Sequence, residues 1–267
     1  MSEYLLSSTD DPRLDPYRDL KRTNRTRGSR HFIAEGIRVV ERLLASDFEV
    51  QSVVVDEAHR RRFPEDLGER TDVFVLPSKL ANELVGYRFH AGVLGCGERP
   101  AERRLVDWIE TLTSHRLLVC CPRITDPENI GTIIRLCAGF GVDGLLVGTQ
   151  STDPFSRRSI RVSMGHAFSL PIQESSNLMV DLLQLRQDFD YEIVAVEVTD
   201  TAETLKDYRP GPRSVLLFGN ESDGLSRELI DFSDRATMIP MHGQVDSLNV
   251  AISAAIVMHH VTSVLDL

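Results

Sequence analysis

Residues 239–260 read IPMHGQVDSLNVAISAAIVMHH, and the two halves of this stretch ask for different structures. Ile239, Pro240 and Met241 close an apolar run, residues 242–246 make a polar turn, and Ser247-Leu248-Asn249-Val250 opens a helix rich in Ala, Ile and Val. Ser247 is placed to cap that helix. The first N–H groups of a helix have no intrahelical partner, so a turn feeding one presents donors to a small polar ligand. A capped core helix with no ligand satisfies the same residues. This stretch alone leaves both readings open, but it fixes a strand end running into a helix start, the unit of an α/β fold.

The same arrangement recurs twice upstream. Residues 126–141, DPENIGTIIRLCAGFG, follow an apolar strand at 117–121 and open a helix, with Asn129 near its start and Arg135 nearly two turns on. In an open α/β sheet this is where ligands bind. Residues 216–224, LLFGNESDG, end another strand; Gly219 lets the backbone approach a ligand, and Asn220 and Glu221 place polar groups in the same crevice. Each has a plainer explanation: Asn129 capping a helix, Arg135 pairing with a carboxylate, Gly224 and Ser226 making a turn and a cap. Glu221 fits a purely structural turn least well, because it directly follows a buried strand. Neither G-x-G-x-x-G nor G-x-x-x-x-G-K-[ST] is present, so dinucleotide and P-loop binding are not supported.

Outward from these stretches, helix and strand patterns alternate along the chain. Residues 12–20 suit a short helix and 37–44 an amphipathic one with Ile37, Val40, Leu43 and Leu44 on one face. Strands are expected at 50–55, 73–76 and 91–96, a charged loop or short helix at 57–70, and a short helix capped by Ser78. Residues 1–12 read as a polar, mobile end. The run GERPAER at 97–103 combines Gly, Pro and charge and suits a linker, so residues 1–100 form one small α/β domain and 101–267 a second. In the second, strands are expected at 117–121, 145–147, 191–198, 215–218 and 237–240, with helices at 130–140 and 178–185 and a polar loop over 151–169. Nearly continuous apolar strands imply a mostly parallel sheet covered on both faces.

The chain has 267 residues, a net charge of −10 and four cysteines. Cys96, Cys120, Cys121 and Cys137 show neither C-x-x-C nor the His spacing of a zinc site, so no metal is expected and reduced thiols suit a cytoplasmic protein. An apolar run long enough to span a membrane is absent. The acidic balance argues against indiscriminate coating of nucleic acid, yet Arg18, Lys21, Arg22, Arg25, Arg27 and Arg30 cluster near the front and can pair with phosphates locally. Arg157, Arg158 and Arg161 in the 151–169 loop could extend that track or stand solvated.

Together, DPENIGTIIRLCAGFG, LLFGNESDG and IPMHGQVDSLNVAISAA resemble the three ordered motifs of the SpoU/TrmH family, RNA ribose 2′-O-methyltransferases of the SPOUT superfamily. The front stretch HFIAEGIRVVERLLAS, with HAGVLG at its close, is similar to the substrate-binding domain many members carry, although Ala91 stands where Gln is often found.

This resemblance implies a deep trefoil knot in the C-terminal domain, S-adenosylmethionine as cofactor, and a homodimer packed through the knot. By position, Gly219, Ile239 and Leu248 would line the cofactor pocket, and the turn at Val198 and Thr199 could touch it. Arg135 would reach toward the partner's cofactor, with Asn129 orienting Arg135 or the ribose. Glu221, Ser247 and Asn249 would hold the motif loops and substrate. An arginine is a poor proton acceptor, so Arg135 suits gripping a phosphate and stabilising a developing alkoxide. Ribosomal RNA is the expected substrate, because members with such a front domain often act on the large-subunit RNA. A transfer-RNA enzyme and a catalytically silent RNA-binding relative are the alternatives.

Overall fold

The computed structural model describes residues 2–21, 28–63, 71–243 and 247–266. Arg22, Arg25 and Arg27 of the basic segment, residues 64–70 of the charged stretch and residues 244–246 of the third turn lie outside the described residues. The chain divides into two compact units, Met1–Ala101 with Phe155–Ser169, and Glu102–Pro154 with Leu170–Leu267.

In the first unit, β1 (Ser2–Leu5), β2 (His31–Glu35), α1 (Ile37–Leu44), β3 (Val50–Asp56), β4 (Asp72–Leu76), α2 (Ser78–Val85) and β5 (Val93–Glu98) follow one another. The sheet runs β1-β4-β3-β5-β2, parallel from β1 to β3 and antiparallel where β5 meets β3 and β2. The front end is not a loose tail: residues 2–5 pair with β4, and Arg60 Nη2 meets the Glu3 carboxylate at 2.6 Å. Residues 12–17 form a 3-10 turn that buries Leu14 and Tyr17. Ser78 does not cap α2. It is the first helical residue, after Pro77, and its hydroxyl donates to Asp56 Oδ1 at 2.7 Å.

The segment 155–169, expected within the second domain, belongs to the first unit. It carries α5 (Arg157–Val162) and a 3-10 turn, His166–Phe168. Phe155 and Phe168 each stack on Phe32, with ring centroids 5.7 and 5.4 Å apart. Glu35, 6% exposed, accepts from Arg157 at 3.2 Å, and Arg157 also donates to the Tyr87 hydroxyl and the Leu20 carbonyl. Arg157 is therefore committed to a buried carboxylate and is not open to a phosphate. Sequence periodicity could not show this, because the partners lie 70 to 137 residues away.

The second unit contains α3 (Leu105–Ile109), β6 (Leu117–Cys121), α4 (Pro127–Phe140), β7 (Gly144–Gly148), β8 (Ile172–Ser175), α6 (Leu178–Phe189), β9 (Glu192–Val196), β10 (Glu203–Thr204), β11 (Ser214–Phe218), α7 (Arg227–Phe232), β12 (Arg235–Met238) and α8 (Val250–Leu265). All pairings in its sheet, ordered β10-β12-β9-β11-β6-β7-β8, are parallel. Every residue of β6, β7 and β11 is buried, as strands covered on both faces require. From β6 the chain builds outward through β7 and β8, then returns to place β9 and β11 on the other side. Such a reversal opens a crevice at the carboxyl ends of β6 and β11. Asp126 caps α4, and Asn249, not Ser247, caps α8. Ser247 stands too far ahead of Val250, the first helical residue, for its hydroxyl to serve.

The amino end of β6 is pinned by Asp143, 6% exposed. Its carboxylate accepts from the backbone N–H groups of Ser114, Arg116 and Leu117 at 3.1, 2.8 and 2.9 Å and from the Ser114 hydroxyl at 2.7 Å. Burial alone would raise the pKa of this carboxyl, but the hydrogen bonds, the one from Leu117 foremost, outweigh it and hold the group below 3.8. Its contribution to stability is then complete above the ordinary carboxylate value and is lost as pH falls through the depressed one. Asp143→Asn should cost about 1–3 kcal/mol at pH 7. The gap to wild type should narrow below about pH 4 in denaturant titrations; an equal gap at pH 7 and pH 3 would contradict the assignment.

Candidate active site

Three loops meet at the carboxyl ends of β6, β11 and β12, and a line of amides ties them together. Asn249 Oδ1 accepts from the N–H groups of Ala251 and Ile252 at 2.9 and 3.3 Å, which turns its NH2 outward. That NH2 donates to Asn129 Oδ1 at 3.0 Å, and Asn129 Nδ2 donates to Glu221 Oε1 at 2.8 Å. The polarity is forced at both ends: helix N–H groups can only donate and an ionised carboxylate can only accept. Flipping either amide would oppose two donors or two acceptors.

Asn129 is almost fully buried in the first turn of α4. Glu221 further accepts from Asn220 Nδ2 at 3.2 Å and, at 3.4 Å each, from the backbone N–H groups of Thr125 and Asp126. Partial burial pushes this carboxyl up, but the donors led by Asn129 prevail and set it below the ordinary 4.5. Glu221 is thus a fixed anion at neutral pH and a weak base.

The second loop is held tight by Asn220 and Gly224, whose N–H groups and carbonyls exchange hydrogen bonds at 2.9 and 3.0 Å. A Cβ on Gly219 would come within 2.4 Å of the Gly224 carbonyl carbon and the Leu225 nitrogen. Only glycine lets the strand pass this close to its own turn. Asn220 Nδ2 also donates to the Arg123 carbonyl at 2.8 Å, joining the loop after β11 to the loop after β6.

A cavity of about 560 Å³ opens on this framework. Gly219, Ile239 and Leu248 all line it, together with Glu221, Ser247 and Asn249. Val198 lines it as well, whereas Thr199 does not. Asn129 joins through its hydrogen bonds. Arg135 stands apart: it is exposed on α4 and, among the described residues, makes no hydrogen bond or ion pair. At 100° per residue it lies about 240° around the helix from Asn129. Both ends of the Asn129 amide are occupied by Glu221 and Asn249, so Asn129 does not orient Arg135.

One lining residue escaped the sequence reading. Glu197, just past β9, accepts from the Leu225 N–H at 2.9 Å and from the Val198 N–H at 3.0 Å, and its carboxylate stands where a Cβ on Gly224 would be. The available signal was the one that singled out Glu221, an acidic residue directly after an apolar strand.

A model described as the SpoU rRNA Methylase family matches residues 116–259, which takes in all three loops and the strands that carry them. The chain belongs to the SpoU family. An uncharacterized tRNA/rRNA methyltransferase of Mycobacterium bovis is 31% identical over 95% of this chain and 89% of its own length. The 23S rRNA (guanosine(2553)-2′-O)-methyltransferase RlmP of Bacillus subtilis is 27% identical over 86% of this chain and 87% of its own. Among solved structures, an AdoMet-bound rRNA methyltransferase from Sinorhizobium meliloti is 25% identical with a TM-score of 0.78, covering 97% of both chains. Both units therefore have counterparts in the family, and the likeness extends well beyond the matched motifs.

The amide line makes a sharp test. Asn129→Asp removes the donor to Glu221 and sets a second carboxylate beside it. The variant should lose about 1.5–3 kcal/mol at pH 7. Part of that loss should return on acidification toward pH 4.5, as one of the paired carboxyls takes up a proton. Thermal unfolding followed across that range would refute the contact if the pH profile matched wild type.

Proposed function

We propose that this protein transfers a methyl group from S-adenosylmethionine to a ribose 2′-hydroxyl of ribosomal RNA. The observation that carries the reading is the Asn249–Asn129–Glu221 line, which joins three loops distant in sequence at one cavity. The Bacillus subtilis and Sinorhizobium meliloti relatives, named for 23S rRNA 2′-O-methylation and for AdoMet-bound rRNA methylation, support the substrate and cofactor.

The cavity suits that cofactor. Its volume falls in the range of roughly 300–1,000 Å³ usual for small-molecule sites. Gly219 exposes backbone, Ile239 and Leu248 offer apolar surface, and the carboxylates of Glu197 and Glu221 favour a cationic ligand. Bound there, S-adenosylmethionine supplies an electrophilic methyl on a sulfonium centre. Gly219, Ile239 and Leu248 hold it. Ser247 and Asn249 place the ribose, and Glu221 keeps Asn129 and the loops in register instead of taking a proton. Arg135 grips a substrate phosphate and stabilises charge developing on the ribose oxygen, an electrostatic role that its permanent charge permits.

The C-terminal segment is threaded as the family's deep trefoil knot in this proposal. The strand order supports it: β11 lies between β9 and β6 while β12 returns to the far side of β9. The active form is a homodimer. Ile252 and Ile256 are 54% and 39% exposed one turn apart on α8, a helix that packs against α4, and Arg135 on α4 is free to enter a partner's cavity. The first unit binds RNA, with the exposed Arg61 and Arg62, whose side chains make no hydrogen bond or ion pair with the described residues, among its phosphate contacts. Four buried free cysteines fit work in the reducing cytoplasm.

Calorimetry should show binding of S-adenosylmethionine, and total RNA from a strain lacking the gene should accept one methyl that resists alkaline hydrolysis. Arg135→Ala should lower turnover about 100-fold or more, the scale of losing an electrostatic partner of the transition state. Cofactor affinity should hardly change. Absence of cofactor binding, or full turnover by Arg135→Ala, would overturn this reading.

A further inference from the structure

The loop that closes the cofactor cavity also walls a second one. Gly219, Asn220 and Gly224 line both, and the second cavity, about 360 Å³, opens over the carboxyl ends of β6, β7 and β8. None of the motif residues Asn129, Arg135, Glu221, Ser247 or Asn249 lines it. Its lining is mixed in character. Leu178 and Met179 at the start of α6, with Leu225 and Leu229, form an apolar wall continuous with the core of the second unit. The lining also holds Gln150, just past β7, and Glu228 in the first turn of α7.

The polar groups of this cavity are not equally free. Arg123 is paired with Asp223, the Asn220 amide is spent on the Arg123 carbonyl, and the Ser175 hydroxyl donates to Asp181 at 2.5 Å. Gln150 and Glu228 make no hydrogen bond or ion pair with the described residues. The cavity therefore offers apolar surface, the Gln150 amide with a donor and an acceptor, and the Glu228 carboxylate that only accepts.

We infer that this cavity seats a guanine base of the RNA substrate, adjoining the nucleotide whose ribose meets the cofactor. This rests on the methyltransferase reading for its substrate class. Bases splayed from single-stranded RNA are recognised by stacking on one side and by hydrogen bonds along their edges. The leucines and the polarisable Met179 thioether supply the stacking surface. The carboxylate selects the base. Guanine presents two adjacent donors, N1–H and N2–H, to the two oxygens of Glu228. Adenine and cytosine pair their single amino donor with a neighbouring acceptor nitrogen, and uracil flanks N3–H with two carbonyls, so each would set an acceptor against the carboxylate. Gln150 then meets the remaining edge, where its NH2 can donate to O6 or N7.

The test uses the full-length protein with guanosine, adenosine, cytidine and uridine 5′-monophosphates as probes, read by nuclear magnetic resonance titration without cofactor. Guanosine monophosphate should bind at least about tenfold more tightly than the others, the discrimination of one good bidentate pair. Glu228→Gln should erase that preference, and Met179→Trp, which fills the cavity, should abolish binding. In the RNA methylation assay, Met179→Trp should raise the KM for RNA about tenfold or more. The S-adenosylmethionine affinity should stay within about twofold, since no cofactor contact is touched. Gln150→Ala, an exposed truncation that leaves the core intact, should weaken guanosine monophosphate binding and serves if Met179→Trp unfolds. Equal binding of the four nucleotides, or no binding together with an unchanged KM in the variants, would overturn the inference. Failure to bind S-adenosylmethionine with guanine preference intact would count against the methyltransferase reading alone.

Discussion

Two asparagines and one glutamate decide whether the site exists. The helix N–H groups at the start of α8 can only donate, so Asn249 must present its oxygen to them and its NH2 to Asn129. Asn129 must then pass a donor to Glu221. Each amide is fixed by its neighbour, and the line ends on an anion that has no proton to give. A charge-assisted hydrogen bond of this kind is about twice as strong as a neutral one, which is why the terminus of the line matters more than its middle. Loops that would otherwise move independently are referred to one carboxylate.

The parallel sheet is what brings those loops together. In a parallel sheet every strand ends on the same side, so residues separated by about a hundred positions become neighbours without any local contact between them. Close approach at the strand ends then demands small residues: Gly219 against its own turn, and Gly148, where a Cβ would sit 2.3 Å from the Pro122 carbonyl oxygen. At the opposite, amino end of β7, Gly144 is likewise crowded, by the Trp108 ring. These glycines serve packing first, and the cavities are what the packing leaves.

The sequence made the α/β alternation legible because buried runs such as LLVCC at 117–121 and VLLF at 215–218 have no strongly polar residue to confuse with a surface. It also marked Glu221 as the residue that fits a structural turn least well, while Asn129 and Asn249 were singled out by the family resemblance of their motifs. Their mutual bonding was not legible, because periodicity carries no information about which strand ends become adjacent. For the same reason Asn249 took the capping role assigned to Ser247, Ser78 turned to Asp56 on another element, and residues 155–169 joined the first unit through Phe32 and Glu35. The 2–5 strand was hidden because an edge strand of four residues needs only β4 beside it, and its exposed pattern reads like a tail.

Arg135 is the counterpart of this rigid network and obeys the opposite logic. An exposed arginine without a partner keeps its rotamer freedom, worth about 2 kcal/mol, and ordering it in the resting protein would spend that freedom for no gain. Exposed on α4 and outside the cavity's lining, it contributes little to the fold. In the proposed reaction its fixed positive charge would act where RNA delivers negative charge or where charge develops on a ribose oxygen, and interactions realised only there accelerate a reaction most effectively. An acidic protein of net charge −10 gains from this division: the Glu221 carboxylate at the cavity is satisfied by neutral hydrogen-bond donors and needs no arginine, so Arg135 is left without an ion pair among the described residues.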